Sequence, residues 1–353
     1  MNPNLTFAMV EVLIPIWQRV LQRSPISVED NFFDLGGDSS LAVELFAGIA
    51  EVCGRELPVE TICRAPTIGA LAAWLDRPTQ PSLSPLVLLN TGTERSPVFI
   101  AHGLDGGVIN FFPLARHIRS RHTIYGIQAQ GFDLEPALNR IEDMVPPYLD
   151  AIRKAQQHGP YFLIGYSFGG LVMLEIAQRL LATGEEVGLL VMLDSYPHLR
   201  HLPPAERARV IARRAKAHLC EIMRSPPREA LSYIVRRWQH RSRISNGEID
   251  GKPLRPMDMS PALLGQFVEE QTELALIPYR PQFYPGKITF VQSETESYYS
   301  ANPRAVWAHL AGSFECETVP GDHQSILTTN FDKLGAVLAR YLREASASNE
   351  PNS

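Results

Sequence analysis

The chain is poor in cysteine, has no long apolar run and carries no excess of positive charge. Its 353 residues include only 4 cysteines, which lie far apart at Cys53, Cys63, Cys220 and Cys316. Without a C-x-x-C pair, neither a zinc ribbon nor a disulfide framework is expected, so we predict reduced thiols and no metal site. No apolar run approaches the roughly 20 residues of a membrane-spanning helix. The net charge of -5 is unlike that of a nucleic-acid-binding protein.

A secretory leader is also missing. The first residues, MNPNLTFAMVEVLIPIWQRV, have neither a basic start nor a small-residue cleavage site. We therefore predict a cytoplasmic, monomeric protein without a membrane or nucleic-acid partner. Hydrophobic residues make up 45% of the chain and charged residues 20%, which is typical of globular domains. A length of 353 residues predicts about two domains.

The first of two regions covers residues 1–76. It shows helical periodicity and no strand pattern, as in Met9, Leu13, Ile16 and Val20. Pro15 interrupts this pattern and predicts a kink or a late start for the helix. Residues 77–85 are rich in proline and serine and have no amphipathic period, so they are predicted to form a linker.

The second region, residues 86–345, alternates short apolar runs with amphipathic stretches. The predicted strands are Leu86–Leu89, Val98–Ala101, Thr123–Gln128, Tyr161–Ile164, Leu189–Leu193, Ile288–Val291 and Phe314–Val319. Such alternation predicts an α/β fold whose mostly parallel sheet is covered by helices on both faces. Residues 198–283 lack a convincing strand and predict a helical insertion, and residues 346–353 predict a frayed tail.

A first chemical signal is the segment Asp34-Leu-Gly-Gly-Asp-Ser-Ser40. A helical pattern begins just after it with Ala42 and Leu45, which places Ser39 at a helix N-terminus. The residues alone leave two interpretations open. Ser39 is either a helix N-cap, for which serine is well suited, or a functional serine at an accessible helix start.

A second signal is Gly165-Tyr-Ser-Phe-Gly169. It follows the buried-strand run Tyr161–Ile164 and precedes a helical pattern that starts at Phe168. Strand, tight turn and helix are the context in which G-x-S-x-G forms a nucleophile elbow. We expect the turn to lift Ser167 Oγ above the sheet and to make the Phe168 N–H an oxyanion donor.

A nucleophilic serine needs a base and a group that orients the base. Asp194 ends the run Leu189–Leu193, and His323 follows the last predicted strand, so the chain order is serine, acid, histidine, as in α/β-hydrolases. Asp322 is the competing acid, although adjacent residues rarely reach a common imidazole. His102 opens a glycine-containing loop that would supply a second oxyanion N–H from Leu104. Its own side chain is predicted to be structural, and the remaining histidines are predicted to lie at the surface.

These motifs resemble two known families. Asp30-Asn-Phe-Phe-Asp-Leu-Gly-Gly-Asp-Ser39, within residues 1–76, resembles the peptidyl carrier domain of nonribosomal peptide synthetases. Residues 86–345 resemble the type I thioesterase domain of nonribosomal peptide and polyketide synthases, an α/β-hydrolase. The motifs are His102-Gly-Leu-Asp-Gly-Gly, Gly165-Tyr-Ser-Phe-Gly-Gly-Leu, Leu193-Asp-Ser-Tyr-Pro and Gly321-Asp-His-Gln. Two positions depart from the usual patterns: Ser40 stands where leucine or isoleucine is common, and Gly103 where proline is common.

The carrier resemblance implies that a separate phosphopantetheinyl transferase attaches 4'-phosphopantetheine to Ser39, where the helix dipole favours a phosphate. It also implies upstream condensation and adenylation, or ketosynthase, modules that supply an acyl or peptidyl thioester. The thioesterase resemblance implies that Ser167, assisted by His323 and Asp194, takes over this chain and releases it by hydrolysis or macrocyclisation. A free-standing esterase or lipase, and a non-catalytic module that docks acyl carriers, are the alternatives.

The charges are distributed unevenly between the two regions. Residues 1–76 contain four arginines against ten acids, whereas residues 198–243 contain twelve arginines and lysines against three acids. The basic stretch is either a solvated helical face or a lid that attracts the acidic carrier or the phosphate of its prosthetic group. Replacing Arg236 and Arg237 by glutamate would test this steering hypothesis.

Overall fold

The computed structural model describes residues 3–54, 57–76, 84–129, 139–224, 261–297 and 300–348. Residues 3–76 form four helices, α1 (Pro3–Leu21), α2 (Ser39–Cys53), α3 (Thr61–Arg64) and α4 (Ile68–Leu75). Helix α1 begins at Pro3 and runs through Pro15, so a late start is wrong. The side chains of Leu13, Ile16 and Trp17 are buried. Their packing stabilises the helix although Pro15 has no backbone N–H to donate.

A seven-stranded sheet forms the second region and confirms the predicted α/β fold. The strands are β1 (Leu86–Asn90), β2 (Glu94–Ala101), β3 (His122–Ile127), β4 (Tyr161–Tyr166), β5 (Val187–Leu193), β6 (Tyr284–Ser293) and β7 (Ala311–Val319). Each predicted strand is present. Their order in the sheet is β1-β3-β2-β4-β5-β6-β7, with β1 antiparallel to β3 and all other pairs parallel.

Helices cover both faces of this sheet. They are α5 (Phe111–His117), α6 (Ile141–Ala155), α7 (Phe168–Ala182), α8 (Pro204–Arg224), α9 (Pro261–Leu276), α10 (Pro303–Trp307), α11 (Ser325–Thr328) and α12 (Phe331–Ser348), with a short 3-10 helix at Leu199–His201. Helix α12 continues to Ser348, so the predicted tail at 346–353 starts too early. Its residues Leu338, Tyr341 and Leu342 are buried, and this packing extends the helix beyond the predicted boundary.

Strands β5 and β6 flank the predicted insertion. Residues 198–283 contribute α8 and α9, and within the described part of this insertion no strand is present before β6 begins at Tyr284. Arg236 and Arg237 lie outside the described residues, so the steering hypothesis stays a prediction. Among the helices described, none is long and apolar enough to span a bilayer.

The two regions share a hydrophobic core. Phe33 of the first region stacks on Phe112 of α5, with ring centroids 3.6 Å apart and planes inclined by 7°. Next to this pair, Arg116 of α5 forms a salt bridge with Asp34 and donates a hydrogen bond to the Phe33 carbonyl oxygen. The segment that leads to Ser39 is therefore packed directly against the α/β fold.

Candidate active site

The turn between β4 and α7 carries Ser167 in a strained conformation. Ser167 has φ 53° and ψ -117°, in the left-handed half of backbone space that residues with a Cβ rarely occupy. Such strain costs about 1–3 kcal/mol and is held in place by the surroundings. A Cβ at Gly165 would overlap the backbone of Gly169, so glycine allows the strand and the helix to approach closely. The structure thus forms the predicted elbow.

His323 lies within hydrogen-bond distance of both other members of the predicted set. Its Nε2 is 3.1 Å from Ser167 Oγ, and its Nδ1 is 3.1 Å from Asp194 Oδ2. Asp194 follows β5 and His323 follows β7, so the carboxyl ends of parallel strands bring them to one edge of the sheet. A carboxylate on Nδ1 favours the tautomer whose Nε2 can accept a proton from the serine hydroxyl.

The competing acid, Asp322, does not face the imidazole of its neighbour. Its Oδ1 accepts hydrogen bonds from the Ser325 N–H at 2.8 Å and the Gln324 N–H at 3.1 Å. These contacts hold the loop before α11 and lower the pKa of Asp322, the hydrogen bond from the Ser325 backbone being the main cause. The imidazole of His323 is paired with Asp194 instead.

Ser293, at the end of β6, completes the surroundings of Asp194. Its hydroxyl donates to Asp194 Oδ2 at 2.6 Å, and its backbone N–H donates to Oδ1 at 3.3 Å. Asp194 is buried, with 3% of its surface exposed. A buried carboxylate needs such donors because leaving its oxygens without partners is costly. Sequence reasoning missed Ser293. Its position at the end of β6, the strand next to β5, is the one feature of the sequence that could have indicated it.

Tyr166 contacts the other side of His323. Its hydroxyl donates to the His323 carbonyl oxygen at 2.6 Å, and its ring stacks on the imidazole with centroids 4.9 Å apart and planes inclined by 25°. Burial raises the pKa of Tyr166 well above its ordinary value, so the hydroxyl keeps its proton. Sequence reasoning missed this residue, although it occupies the first of the two variable positions of the G-x-S-x-G motif.

The loop after β2, residues 102–107, lies beside the serine and is called the oxyanion loop below. His102 is completely buried, and burial lowers its pKa to about 4, so the ring is neutral. Its Nδ1 donates to the Gly103 carbonyl oxygen at 2.6 Å, and its Nε2 accepts from the Tyr148 hydroxyl at 3.1 Å. Because Gly103 C=O and Leu104 N–H belong to one trans peptide, they point in opposite directions. His102 therefore fixes the direction of the Leu104 N–H.

Phe168 supplies the second candidate donor. It is the first residue of α7, so its N–H is one of the four that have no acceptor within the helix. Its ring stacks on the His102 imidazole at 5.9 Å between centroids and an angle of 25°. His102 thus contacts both donor residues, through the peptide that carries the Leu104 N–H and through the ring of Phe168.

A carboxylate stands at the tip of the oxyanion loop. The Asp105 side chain reaches solvent, yet the surrounding walls remove part of its hydration and raise its pKa to about 6, an effect to which the carboxylates of Glu60 and Glu269 add. Glu60 belongs to the first region and Glu269 to α9. The loop therefore lies near acidic side chains of both the first region and the insertion.

The remaining predicted site residue, Ser39, is the first residue of α2. It does not cap the helix, because Asp38 does so by accepting a hydrogen bond from the Leu41 N–H at 2.8 Å. Ser39 is half-buried and Ser40 is exposed.

Among the histidines expected at the surface, His122 is buried instead, with its ring bonded to the Ser96 carbonyl oxygen and the Ser346 hydroxyl.

Two family models match the chain. One describes a phosphopantetheine attachment site and matches residues 11–75, which include Ser39. The other describes a thioesterase domain and matches residues 96–231, which include Ser167 and Asp194. His323 lies beyond the matched range.

Curated relatives match the chain within longer proteins. The chain is 30% identical over 345 residues to a dimodular nonribosomal peptide synthase of Bacillus subtilis (strain 168), covering 95% of the chain and 14% of that protein. It is 38% identical over 190 residues to indigoidine synthase of Dickeya dadantii (strain 3937), covering 53% of the chain and 13% of that protein. The matched part of the chain thus spans about one-seventh of the length of each of these relatives.

Among solved structures, the fold is similar to that of holo-AB3403, a four-domain nonribosomal peptide synthetase bound to AMP and glycine. The TM-score is 0.55 at 23% sequence identity, and the match covers 95% of this chain and 26% of that one. This similarity supports a common fold for the two proteins over both regions, a helical region followed by an α/β region.

Proposed function

Since the chain belongs to the carrier and thioesterase proteins of nonribosomal peptide synthesis, we propose that it releases an acyl or peptidyl chain from its own carrier domain. The observation that carries this proposal is the set of contacts between Ser167, His323 and Asp194 in the same chain as Ser39. A serine hydroxyl, a base and an orienting carboxylate are the parts that acyl transfer requires.

Ser39 fits the attachment of 4'-phosphopantetheine. Asp38 already caps α2, so the Ser39 hydroxyl is not needed for the helix, and a phosphate on it would lie at the positive end of the α2 dipole. When bound, the group supplies a thiol that carries the acyl chain as a thioester. A phosphopantetheinyl transferase and upstream synthetase modules are the partners that this chemistry requires.

Ser167 performs the first step by attacking the carbonyl carbon of the acyl thioester. His323 Nε2 accepts the hydroxyl proton as the C–O bond forms, and the Nδ1–H stays bonded to the Asp194 carboxylate. The negative charge that develops on the carbonyl oxygen accepts hydrogen bonds from the N–H groups of Phe168 and Leu104, each worth about 100- to 1,000-fold in rate. The C–S bond then breaks, and His323 gives its proton to the departing thiolate.

The second step removes the acyl group from Ser167. A nucleophile, either water or a hydroxyl or amine of the bound chain, loses its proton to His323 Nε2 and attacks the ester. The same two N–H groups stabilise the second oxyanion. The proton on His323 then returns to Ser167 Oγ as the C–O bond breaks. Water yields a free acid, and an internal nucleophile yields a lactone or lactam.

Transfer to Ser167 is tested by loading the chain and following the acyl group. A phosphopantetheinyl transferase and an acyl-coenzyme A would charge Ser39, and mass spectrometry of the intact protein would locate the acyl group over time. We expect release from the wild type, accumulation on Ser39 in Ser167→Ala, and no loading of Ser39→Ala. Equal release by wild type and Ser167→Ala would contradict the proposal.

Modification of Ser39 and labelling of Ser167 by an active-site probe together separate the alternatives. A free-standing esterase would cleave soluble esters but would not gain the mass of the prosthetic group on Ser39. A docking module without activity would accept the group but leave Ser167 unlabelled by a fluorophosphonate probe. Labelling of Ser167 together with modification of Ser39 is expected only for the carrier and thioesterase pair.

A further inference from the structure

Helix α9 of the insertion contacts the oxyanion loop through a buried threonine. Thr272 has no exposed surface, and its Oγ1 lies 2.5 Å from the Leu104 carbonyl oxygen. These residues are 168 positions apart in the chain. The contact therefore joins the insertion to the residue whose N–H is the candidate oxyanion donor.

The Thr272 hydroxyl has one proton and three possible acceptors. Besides Leu104 O, the carbonyl oxygens of Val268 and Glu269 lie at 3.0 and 2.9 Å. Both belong to α9, where carbonyl groups accept N–H groups from the next turn. Leu104 lies in a loop and offers the shortest contact, so it is the acceptor that gains most from the proton.

Leu104 is held on both sides by these contacts. The peptide on its N-terminal side carries its N–H, and there the Gly103 carbonyl oxygen accepts from His102 Nδ1. The peptide on its C-terminal side carries its C=O, which accepts from Thr272. Since the two peptide planes that flank a residue define its φ and ψ, His102 and Thr272 together fix the backbone of Leu104.

Helix α9 packs against the same loop one turn earlier. Gly106 has φ 73°, and a Cβ there would overlap the side chain of Val268. Val268 and Thr272 are four residues apart, so they lie on one face of α9. Two points of close contact on one helical face leave the oxyanion loop little freedom to shift while α9 is in place.

We propose that Thr272 is a positioning residue for the oxyanion hole, through which α9 holds the Leu104 N–H in the direction of the developing oxyanion. This inference rests on the proposed function, because it assigns a role within the same reaction. It makes the insertion part of the catalytic geometry and not only a cover over the substrate.

The test compares Thr272→Val, which keeps the shape but removes the hydroxyl, with Thr272→Ser, which keeps the hydroxyl. On a soluble acyl thioester we expect kcat of the valine variant to fall by roughly 10- to 100-fold, below the full effect of losing an oxyanion donor, with KM within about twofold. The serine variant should recover most of kcat. Thr183→Val is the matched control, since its hydroxyl contacts carbonyl oxygens at the end of α7 far from Ser167.

A boronic acid that forms a tetrahedral adduct with Ser167 provides a second measurement, because one of its oxygens occupies the oxyanion position. Its affinity should fall in Thr272→Val by a factor similar to that of kcat. A valine variant with wild-type kcat, or one that loses kcat but keeps the boronic acid affinity, would overturn the inference. If the valine variant does not fold, Thr272→Ala is measured with the same criteria. A wild-type chain that cannot cleave the thioester would overturn the proposed function instead.

Discussion

At the scale of single residues, Tyr166 offers a sharp test of how His323 is held. Tyr166→Phe keeps the ring against the imidazole but removes the hydroxyl that donates to the His323 carbonyl oxygen. An intramolecular hydrogen bond contributes about 1 kcal/mol, so we expect kcat to fall by about tenfold at most, with little change in KM. Tyr166→Leu, which also removes the stacking, should lower kcat further. Steady-state kinetics on a soluble thioester measures both variants.

Tyr161→Phe is the matched control for this prediction. Tyr161 lies at the opposite end of the same strand, is fully buried, and donates its hydroxyl to backbone carbonyls of Gln156 and Gln157. Its loss should lower the melting temperature without a selective effect on kcat. If the two phenylalanine variants have the same kcat, the Tyr166 hydroxyl has no role in positioning His323.

His102 predicts a dependence of stability on pH. Its pKa is about 4 in the folded chain and about 6.5 when unfolded, so the unfolded state binds more protons between these values. Neutral His102 therefore contributes about 3 kcal/mol to the free energy of unfolding above pH 6.5. This contribution is lost as pH falls towards 4. Urea midpoints at pH 4.5 and pH 7 should therefore differ more in the wild type than in His102→Asn. Equal differences in the two proteins would refute this prediction.

At the scale of elements, the cap of α2 can be separated from the function of Ser39. Asp38→Ala removes the carboxylate that accepts from the Leu41 N–H and should destabilise α2 by about 1 kcal/mol. Asp38→Asn keeps an acceptor and should restore most of the loss. Hydrogen exchange of the α2 amides in the full chain measures the difference. Unchanged exchange in Asp38→Ala would show that the cap does not stabilise the helix.

The strands were predictable from sequence because each is a short apolar run next to a helical pattern. The same logic indicated that Ser167, Asp194 and His323 follow strands and so meet at one sheet edge. Tyr166, Ser293 and Thr272 were missed, because their roles depend on which elements become neighbours only after folding. The extent of α12 was also missed, since packing of its last turns against the sheet is a tertiary effect.

At the scale of the whole molecule, the ion pair between Asp34 and Arg116 indicates how the carrier meets the thioesterase. Whether the basic insertion attracts the acidic carrier stays a prediction, and the basic partner that the structure brings to Asp34 is Arg116 of α5. Phe111 of the same helix contacts Tyr166, and Tyr166 stacks on His323. The carrier therefore rests on a helix that is two aromatic contacts away from His323, the proposed base.

This arrangement predicts a reciprocal effect of charge. Arg116→Glu and Asp34→Arg should each slow release from the loaded carrier by about 2- to 5-fold, the effect expected of an exposed ion pair, while cleavage of a soluble thioester stays unchanged. The double variant restores opposite charges but not the hydrogen bond from Arg116 to the Phe33 carbonyl oxygen, so it should recover most of the wild-type rate. Arg121→Glu is the control, because Arg121 pairs with Glu94 within the α/β fold. Additive losses in the double variant would mean that this ion pair does not guide the carrier.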